Sequence, residues 1–317
     1  MTLKTYLVTG AAGFIGSHSV DQLLVQGHRV IGIDNLRTGH LCNLVQARLS
    51  PQFTFIEADV CDESAMRQLF DQYDFAGLLH LAALVSVPES FKEPALNFCS
   101  NVTATDLLAR LCTDYDCKRM VFASSSAVYG DSNDLPNREL DHPHPLSPYA
   151  AAKLAAEILL LGYSVSYSLE AVCLRYFNVY GPRQDARSPY SGVLSIFAER
   201  CQAGLPVTIH GDGEQTRDFV SVYDVARING HALTVGTATT GCYNVCTGTA
   251  ISLNQVLALF QRAYPEVPKP QYDNPRIGDV RHSVGGPEWL ERVLGLKTEV
   301  SFEEGLGILI GYVQNNS

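Results

Sequence analysis

The chain has 317 residues, of which 46% are hydrophobic and 18% are charged, so it is too apolar for a disordered protein. Its 33 acidic and 23 basic residues give a formal net charge of −10, and without a basic run this charge argues against nucleic-acid partners. The sequence shows neither a signal-peptide pattern nor an apolar stretch of the ~18 residues that span a membrane, so we expect a soluble, cytoplasmic protein without membrane contact.

Strand-like and helix-like segments alternate through the first half of the chain. Apolar, β-rich runs occupy residues 6–8, 30–33, 53–56, 78–81, 120–122 and 171–174. Helical patterns occupy residues 15–26, 63–72, 91–113 and 149–164. Because parallel neighbours need a crossover connection, six strands with helices between them predict an α/β fold with a doubly wound parallel sheet of the Rossmann type.

The alternation loosens after residue 177, where prolines interrupt short apolar runs. We expect a smaller C-terminal α/β lobe there, with a return to the sheet over 219–245, a proline-rich segment over 265–275 and a last helix over 287–294. At one domain per ~150 residues, the length agrees with two units. We predict a nucleotide-binding domain made of two segments, residues 1–176 and about 219–247. The smaller lobe would consist of residues 177–218 and 248–317.

The helix predicted over 149–164 is apolar nearly all round, apart from Lys153 and Glu157. A helix of this kind cannot leave one face in water. We expect one face to cover the sheet and the other, with the helix near 91–113, to form a homodimer about a two-fold axis. Burial under the smaller lobe of the same chain is the alternative.

The nine cysteines are an odd number and form no C-x-x-C pair. This pattern is unlike that of a zinc site or a disulfide framework, and we expect free thiols that behave as small buried hydrophobes. The sequence therefore predicts no bound metal.

A glycine motif, T-G-A-A-G-F-I-G, follows the first predicted strand and opens the first predicted helix. Gly10 would allow a tight turn, Gly13 would let the backbone approach a pyrophosphate, and Gly16 would let the helix pack closely on the strand. Amides at the helix start would attract the phosphate charge. In this strand–turn–helix setting, the motif predicts a dinucleotide site.

Asp34 ends the second predicted strand, 18 residues beyond Gly16. A carboxylate at about this spacing accepts hydrogen bonds from the adenosine ribose and would repel a 2′-phosphate. This residue favours NAD over NADP, although Arg37 nearby keeps NADP as an alternative.

Tyr149 and Lys153 lie four residues apart and therefore on one face of their predicted helix. A phenol with a pKa near ~10 serves as a base at neutral pH only when its phenolate is stabilised. We expect the Lys153 ammonium and a positive nicotinamide to lower that pKa. The serines at 124–126 end the fifth strand, at the sheet edge where open α/β sheets bind ligands.

The combination of these motifs resembles the extended short-chain dehydrogenase/reductase superfamily. Within it the chain is most similar to the UDP-hexose 4-epimerases, and closest to those acting on UDP-N-acetylglucosamine. The similarity covers essentially the whole chain and rests on the stretches TGAAGFIG, DNL, DV, HLAA, NV, SSSAVYG, PYAAAK, RYFNVYGPRQ, GDGEQTRDF and RIGDVRHS.

The resemblance implies a role for individual residues. The catalytic residues would be Ser125, Tyr149 and Lys153. NAD would contact Gly10, Gly13, Phe14, Ile15, Gly16, Asp34, Asn35, Asp59, Val60, Leu81, Ala82, Ala83, Asn101, Tyr149, Lys153 and Tyr176. A UDP-sugar would contact Ser86, Ser125, Ser126, Tyr149, Asn178, Val193, Leu194, His210, Arg217, Arg276, Asp279 and Ser283.

The residues after the predicted catalytic serine separate the chemistries of this superfamily. Similar 4,6-dehydratases carry acidic residues where Ser126 and Ala127 stand here, because eliminating water needs a further acid and base. Similar decarboxylases have a glutamate in place of Ala127. Without these carboxylates, oxidation at C4 followed by reduction remains, which predicts a reversible C4 epimerase with tightly held NAD.

The sugar preference is predicted from the position of Ser283. Bulky side chains at the equivalent family position are associated with exclusion of a 2-N-acetyl group, so serine favours N-acetylated UDP-hexoses, with UDP-glucose and UDP-galactose also accepted. Val85 stands where related enzymes have glycine and would tighten the pocket. The alternatives are a UDP-glucuronate 4-epimerase, with Arg187 as carboxylate partner, an NADPH-dependent nucleotide-sugar 4-reductase, and a non-enzymatic NAD-binding regulator.

Overall fold

A computed structural model describes residues 3–186, 192–236, 239–274 and 280–316 of the chain. Its strands are β1 (Thr5–Thr9), β2 (Arg29–Asp34), β3 (Phe53–Glu57), β4 (Gly77–His80), β5 (Arg119–Ser125), β6 (Glu170–Tyr176), β7 (Asn178–Tyr180), β8 (Thr208–His210), β9 (Thr216–Arg217), β10 (Phe219–Ser221), β11 (Gly241–Val245), β12 (Ile251–Ser252), β13 (Gln271–Asp273) and β14 (His282–Ser283).

The α-helices are α1 (Phe14–Val25), α2 (Glu63–Gln72), α3 (Val87–Lys92), α4 (Pro94–Phe98), α5 (Ala104–Asp114), α6 (Pro148–Tyr167), α7 (Val193–Gln202), α8 (Val222–Thr234), α9 (Leu253–Ala263), α10 (Glu288–Leu294) and α11 (Phe302–Asn315). Short 3-10 turns follow β2 and β5, and a π-helical turn, Cys99–Thr103, joins α4 to α5.

The main sheet contains seven strands in the order β11-β6-β5-β4-β1-β2-β3, and every neighbouring pair is parallel. The predicted doubly wound α/β sheet is thereby confirmed. The chain runs outward from β1 in both directions, so the strand order reverses between β1 and β4. Ligands of open α/β sheets bind at the carboxyl ends of the strands at such a reversal.

Helices cover both faces of the sheet because successive strand residues point to opposite sides. In β1, Tyr6 and Val8 lie in the core cluster that contains α1 and α8 residues. Leu7, between them, lies in the cluster that contains α2, α5 and α6 residues. A third apolar cluster lies outside the sheet and joins α7, α9 and α11.

The prediction of a single helix over 91–113 is wrong. The chain forms α3, α4, the π-helical turn and α5 in this region. Pro88 and Pro94 lie in the first turns of α3 and α4, where a proline is tolerated because its missing N–H would have no helical acceptor. Pro94 thus starts α4 as a new helix instead of continuing α3.

The predicted return to the sheet over 219–245 is confirmed only at its end. Residues of β10 pair with β7 in a separate two-stranded sheet, α8 follows, and β11 then joins the main sheet beside β6. The predicted last helix matches α10, but α11 follows it. Ser301 caps α11 by accepting a hydrogen bond from the Glu304 amide at 3.3 Å, a signal that the sequence contains.

The described residues contain no helix that combines the length and the apolar character needed to span a membrane.

Candidate active site

The glycine motif forms a tight turn between β1 and α1. Gly10 has φ +68°, a left-handed conformation that glycine adopts without strain, and a Cβ there would lie 2.8 Å from the Ala82 amide nitrogen. A Cβ on Gly16 would lie only 2.0 Å from the Gly10 carbonyl oxygen. The start of α1 therefore packs directly on the turn, as the spacing predicts.

The amino end of α1 has no side-chain cap. Gly13 occupies the N-cap position, so no side-chain oxygen accepts from the first helical amides, which belong to Phe14, Ile15 and Gly16. These donors and the positive end of the helix dipole favour an anion at this position.

Asp34 ends β2, and the residue is 8% exposed. Its Oδ2 accepts from the Ala12 amide at 3.0 Å and its Oδ1 from the Leu36 amide at 2.8 Å. Burial raises the pKa of Asp34, and the backbone amides that bond the carboxylate oppose that rise. Arg37 pairs with Glu89, so this arginine already has an anionic partner other than a 2′-phosphate.

The segments that follow β2 and β3 are joined by side chains. Asn35 donates from Nδ2 to Asp59 Oδ2 at 2.9 Å, and the Cys61 amide donates to Asp59 Oδ1 at 2.8 Å. Val60 between them is buried. Asn35, Asp59 and Val60, all predicted to contact NAD, therefore lie together at the carboxyl edge of the sheet.

Thr9 connects the glycine turn to the end of β4. Its Oγ1 accepts from the amides of Leu81 and Ala82, both at 3.1 Å, and lies 2.8 Å from His80 Nδ1. Ala83 comes next in the same partly buried segment. The sequence reasoning missed Thr9, and its position as the last residue of a buried strand before the turn was the available signal.

Asn101 lies in the π-helical turn. Its Nδ2 donates to the Leu84 carbonyl at 3.0 Å and to Asn97 Oδ1 at 2.8 Å. Its own Oδ1 is buried and has no hydrogen-bond partner within the described part of the chain. Because a buried acceptor without a partner is costly, this atom indicates a ligand with a hydrogen-bond donor.

These features together fit a bound dinucleotide. The uncapped helix start suits a diphosphate, the Asp34 carboxylate suits a ribose diol, and the unpaired Asn101 oxygen suits a donor near the β4 end. Tyr176, also predicted to line NAD, lies at the end of β6 and donates its hydroxyl to Asn229 Oδ1 at 2.6 Å. Its hydroxyl thus bonds to α8 within the protein.

The predicted catalytic residues lie together beside the end of β5. Tyr149 is in the first turn of α6, its amide donates to Ser90 Oγ at 3.2 Å, and its hydroxyl hydrogen-bonds with Ser125. One turn later, Lys153 donates from Nζ to the Ala123 carbonyl at 2.8 Å. The same nitrogen lies 6.0 Å from the centre of the Tyr149 ring.

The pKa of Tyr149 differs from the sequence-based expectation. Burial raises this pKa above its ordinary value, and only the Ser125 hydrogen bond opposes the rise. Burial also lowers the pKa of Lys153 to about 7, while Glu157 raises it. A lysine with such a pKa is only partly charged at neutral pH, so the Lys153 ammonium by itself does not make the phenol acidic.

A buried polar network lies behind Lys153, and the sequence reasoning did not assign it a role. Glu157, one turn further along α6, accepts from the Ser124 hydroxyl and from both Nε and Nη2 of Arg175, at 2.9 and 2.7 Å. Arg175 Nη1 also donates to Tyr129 Oη at 2.9 Å. The sequence signal was a carboxylate four residues after Lys153 on an otherwise apolar helix.

Residues predicted to contact the sugar lie near the catalytic group or in the smaller lobe. Ser86 caps α3 by accepting from the Glu89 amide at 2.9 Å, and Ser126 begins the 3-10 turn after β5. Asn178 begins β7 and donates from Nδ2 to the Asp218 carbonyl at 3.3 Å.

The structure brings Arg217 and Ser283 side by side, because they pair in register between the parallel strands β9 and β14. Arg217 Nη1 donates to the Thr216 carbonyl at 2.8 Å. His210 ends β8 and pairs with β13.

Two further predicted substrate residues begin α7. Val193 is half-buried, whereas Leu194 is fully buried in the core cluster that joins α7, α9 and α11, so its side chain packs inside the protein. Arg276 and Asp279, and Arg187 of the glucuronate alternative, lie outside the described residues.

The described residues contain no group of His, Cys, Asp or Glu side chains that could hold a metal ion.

Comparisons with known proteins extend over the whole chain. The model of a family described as NAD dependent epimerase/dehydratase matches residues 6–246. The UDP-glucose 4-epimerase of Mycolicibacterium smegmatis is 37% identical over 313 residues, which cover 98% of this chain and 99% of the relative. The UDP-glucuronate 4-epimerase of Thermodesulfobacterium geofontis is 34% identical over 319 residues, covering 98% and 96%.

A solved structure is similar along its full length. The UDP-N-acetylglucosamine 4-epimerase from Methanobrevibacter ruminantium, in complex with UDP-N-acetylmuramic acid, has a TM-score of 0.94 and 36% identity, and the match covers 100% of each chain.

Proposed function

The chain belongs to the NAD dependent epimerase/dehydratase family, and from this membership we propose that it interconverts the C4 epimers of a UDP-hexose. The observation that carries the proposal is the group of Ser125, Tyr149 and Lys153 at the end of β5, beside the glycine turn of a dinucleotide site. Relatives at 37% and 34% identity that are named 4-epimerases support it.

We propose that NAD and the UDP-sugar bind to different parts of the chain. Residues 1–176 with about 219–247 hold NAD through the glycine turn, Asp34, the Asp59 segment and Asn101. Residues 177–218 with 248–317 hold the UDP-sugar. When bound, NAD supplies the hydride acceptor and donor for C4 and a positive nicotinamide ring.

Tyr149 is the proposed acid and base. Its phenol oxygen removes the C4 hydroxyl proton, and Ser125 hydrogen-bonds with both the phenol and the sugar hydroxyl. Between the two proton transfers, the 4-keto sugar presents its opposite face. Because burial raises the pKa of Tyr149, the phenolate needs the positive charge of Lys153 together with that of the cofactor.

The short turn after β5 favours epimerisation over elimination. Ser126 and Ala127 begin this turn directly beyond Ser125, and neither side chain carries the carboxyl group that would serve as the extra acid or base for loss of water from the sugar. The Asp34 carboxylate, held by backbone amides, favours NAD and opposes the alternative of an NADPH-dependent reductase.

For the sugar itself, we propose UDP-N-acetylglucosamine and UDP-N-acetylgalactosamine, with UDP-glucose and UDP-galactose also accepted. The small Ser283 side chain next to Arg217 supports this preference. A UDP-glucuronate 4-epimerase is the second candidate, favoured by the 34% identical relative with that name.

The test is turnover of UDP-glucose, UDP-galactose, UDP-N-acetylglucosamine and UDP-glucuronate side by side. We expect Ser283→Tyr to reduce kcat/KM for UDP-N-acetylglucosamine by about tenfold or more relative to UDP-galactose, because the ring would occupy the space of the N-acetyl group. Ser283→Ala, the matched control, should keep the parent ratio. The preference is contradicted by an unchanged ratio in Ser283→Tyr.

The same assays test the alternative functions. Consumption of NADPH would indicate a reductase, and no turnover of any sugar would indicate a regulator.

We also propose that the chain is a homodimer through α6 and the helices of residues 87–114. Four large apolar side chains in these segments are between 57% and 89% exposed: Phe91, Phe98, Ile158 and Val165. Because α3, α4 and α5 pack against α6, exposed apolar side chains on these helices favour a self-complementary contact about a two-fold axis.

Light scattering should therefore give about twice the 34.6 kDa chain mass, and Phe98→Lys with Ile158→Lys should give the mass of one chain. The control is Val25→Lys, which replaces an exposed apolar residue at the end of α1 and should leave the mass unchanged. A parent protein with the mass of a single chain would contradict the proposed homodimer.

A further inference from the structure

Glu157 occupies a central position between the two segments that carry the proposed catalytic residues. It is on α6, one turn beyond Lys153, and its Oε1 accepts from the hydroxyl of Ser124, the residue before Ser125. Arg175 lies opposite Ser124 in the register of β5 and β6 and donates to both carboxylate oxygens. Glu157 therefore joins the helix to the strands on which the reaction depends.

Besides Glu157, few neighbours of Lys153 could stabilise its positive charge. From β5, Nζ meets the Ala123 carbonyl and lies 4.7 Å from the centre of the Phe122 ring. From β4, His80 is buried, and burial followed by the charge of Lys153 lowers its pKa to about 3, so it is neutral. On α6, Tyr149 lies one turn before Lys153 and Glu157 one turn after it, and Glu157 is the carboxylate that favours the charged form of Lys153.

Arg175, on β6, is the charged group paired with Glu157, and its Nη1 also donates to the Glu139 carbonyl at 3.2 Å, so the Glu139 carboxyl is a further charged neighbour of Arg175. Lys153, Glu157 and Arg175 are all nearly inaccessible to solvent, so their interactions are weakly screened. A purely structural reason for the Glu157–Arg175 pair is weak, because replacing a buried ion pair with apolar residues is often neutral or stabilising.

We propose that Glu157 is a positioning residue that favours the charged form of Lys153 beside Tyr149, and that Arg175 limits this effect by sharing the same carboxylate. The charge on Lys153 then stabilises the Tyr149 phenolate during proton transfer, so this inference rests on the proposed function. The arrangement itself, a buried lysine whose charged form is favoured by a carboxylate one turn away, belongs to the protein without substrate.

The test is titration of the Lys153 ammonium by NMR on protein labelled with ¹⁵N-lysine, with the signal assigned by its loss in Lys153→Arg. In the parent, the midpoint is expected at about 7. Glu157→Gln should lower it by about one unit or more, because a nearby opposite charge is lost and Arg175 is left without a partner. Arg175→Gln should raise it, because Glu157 then acts on Lys153 alone.

The double variant, Glu157→Gln with Arg175→Gln, should fall between the parent and Glu157→Gln. Ser124→Ala is the control, because it removes a hydrogen bond to Glu157 without changing any charge and should leave the midpoint at the parent value. A general loosening of the fold would move both single variants in the same direction. Equal midpoints, or shifts of the same sign in both single variants, would overturn the proposal.

The titration still tests the proposal if one of the two single variants does not fold. The double variant replaces the ion pair by two amides that can bond to each other, and its midpoint must lie below that of the parent. A double variant at or above the parent midpoint contradicts the proposal without further data. Because the titration uses no substrate, a failure of this inference is distinguishable from a failure of the proposed activity.

Turnover provides a second readout. If Lys153 must be charged, the alkaline limb of the kcat profile should move to lower pH in Glu157→Gln by the shift seen for the ammonium, with KM unchanged. In Arg175→Gln the same limb should move to higher pH. A lower kcat with an unshifted profile would indicate a structural role alone.

Discussion

Replacing Tyr149 with phenylalanine is expected to lower kcat for C4 epimerisation by about 10²- to 10⁴-fold, the usual contribution of a positioned acid or base. The phenol oxygen hydrogen-bonds with Ser125, and Lys153 lies on the same helix face, so the phenol is the group placed for the proton transfer. The ring itself stays, and the NAD content of the purified protein, measured after denaturation, should remain at the parent level.

The control for this variant is Tyr163→Phe. Tyr163 is on the same helix, and its hydroxyl donates to Asp106 Oδ1 at 2.8 Å, away from Ser125 and Lys153. We expect its kcat to stay near that of the parent. If Tyr149→Phe kept most of its turnover with NAD bound, Tyr149 would not be the base.

Replacing Gly16 with alanine is expected to destabilise the protein by about 3 kcal/mol or more, the upper part of the range for overpacked sites. The new Cβ would lie 2.0 Å from the Gly10 carbonyl oxygen and 2.8 Å from its carbonyl carbon. Backbone atoms cannot rotate away, so α1 must move off the glycine turn. Because the amides at the start of α1 are the proposed diphosphate donors, NAD should be lost as well.

Thermal unfolding and NAD content measure the two effects of Gly16→Ala. Gly307→Ala is the matched control, since Gly307 lies in α11 with nothing within 4 Å of the added Cβ and should gain stability slightly from its higher helix propensity. A Gly16→Ala protein with parent stability and parent NAD content would show that the turn does not bind the cofactor as proposed.

The strands of the main sheet could be predicted because a parallel sheet buries both of its faces, so its strands are short apolar runs. The glycine turn could be predicted because the constraints on Gly10 and Gly16 come from their immediate neighbours in the chain and from the residues directly after β4. In both cases, the physical cause lies within a few residues or within a fixed pattern of strands and helices.

The π-helical turn could not be predicted in this way. It places Asn101 with an unpaired oxygen in the interior, and the residues Cys99–Thr103 have no local pattern that distinguishes a π-turn from an α-turn. The position of Arg217 beside Ser283 depends on two strands of two residues each, which are too short for an alternating pattern.

Only one member of the polar network, Glu157, could be recognised from the sequence. A carboxylate on an apolar helix indicates a buried partner, but the partner, Arg175, lies on β6 and is brought to Glu157 by the crossover between α6 and the sheet. The pKa of Tyr149 likewise depends on burial by the whole site, which outweighs the one nearby lysine that the motif reveals.

The most direct measurement uses UDP-N-acetylglucosamine carrying deuterium at C4, incubated with the purified protein in ordinary water without added cofactor. The proposed chemistry predicts that proton NMR shows UDP-N-acetylgalactosamine with its deuterium still at C4, because the same hydride is removed and returned within one site. Loss of the deuterium to water in the epimerised product, or no C4 epimer from this or any other UDP-hexose, would contradict it.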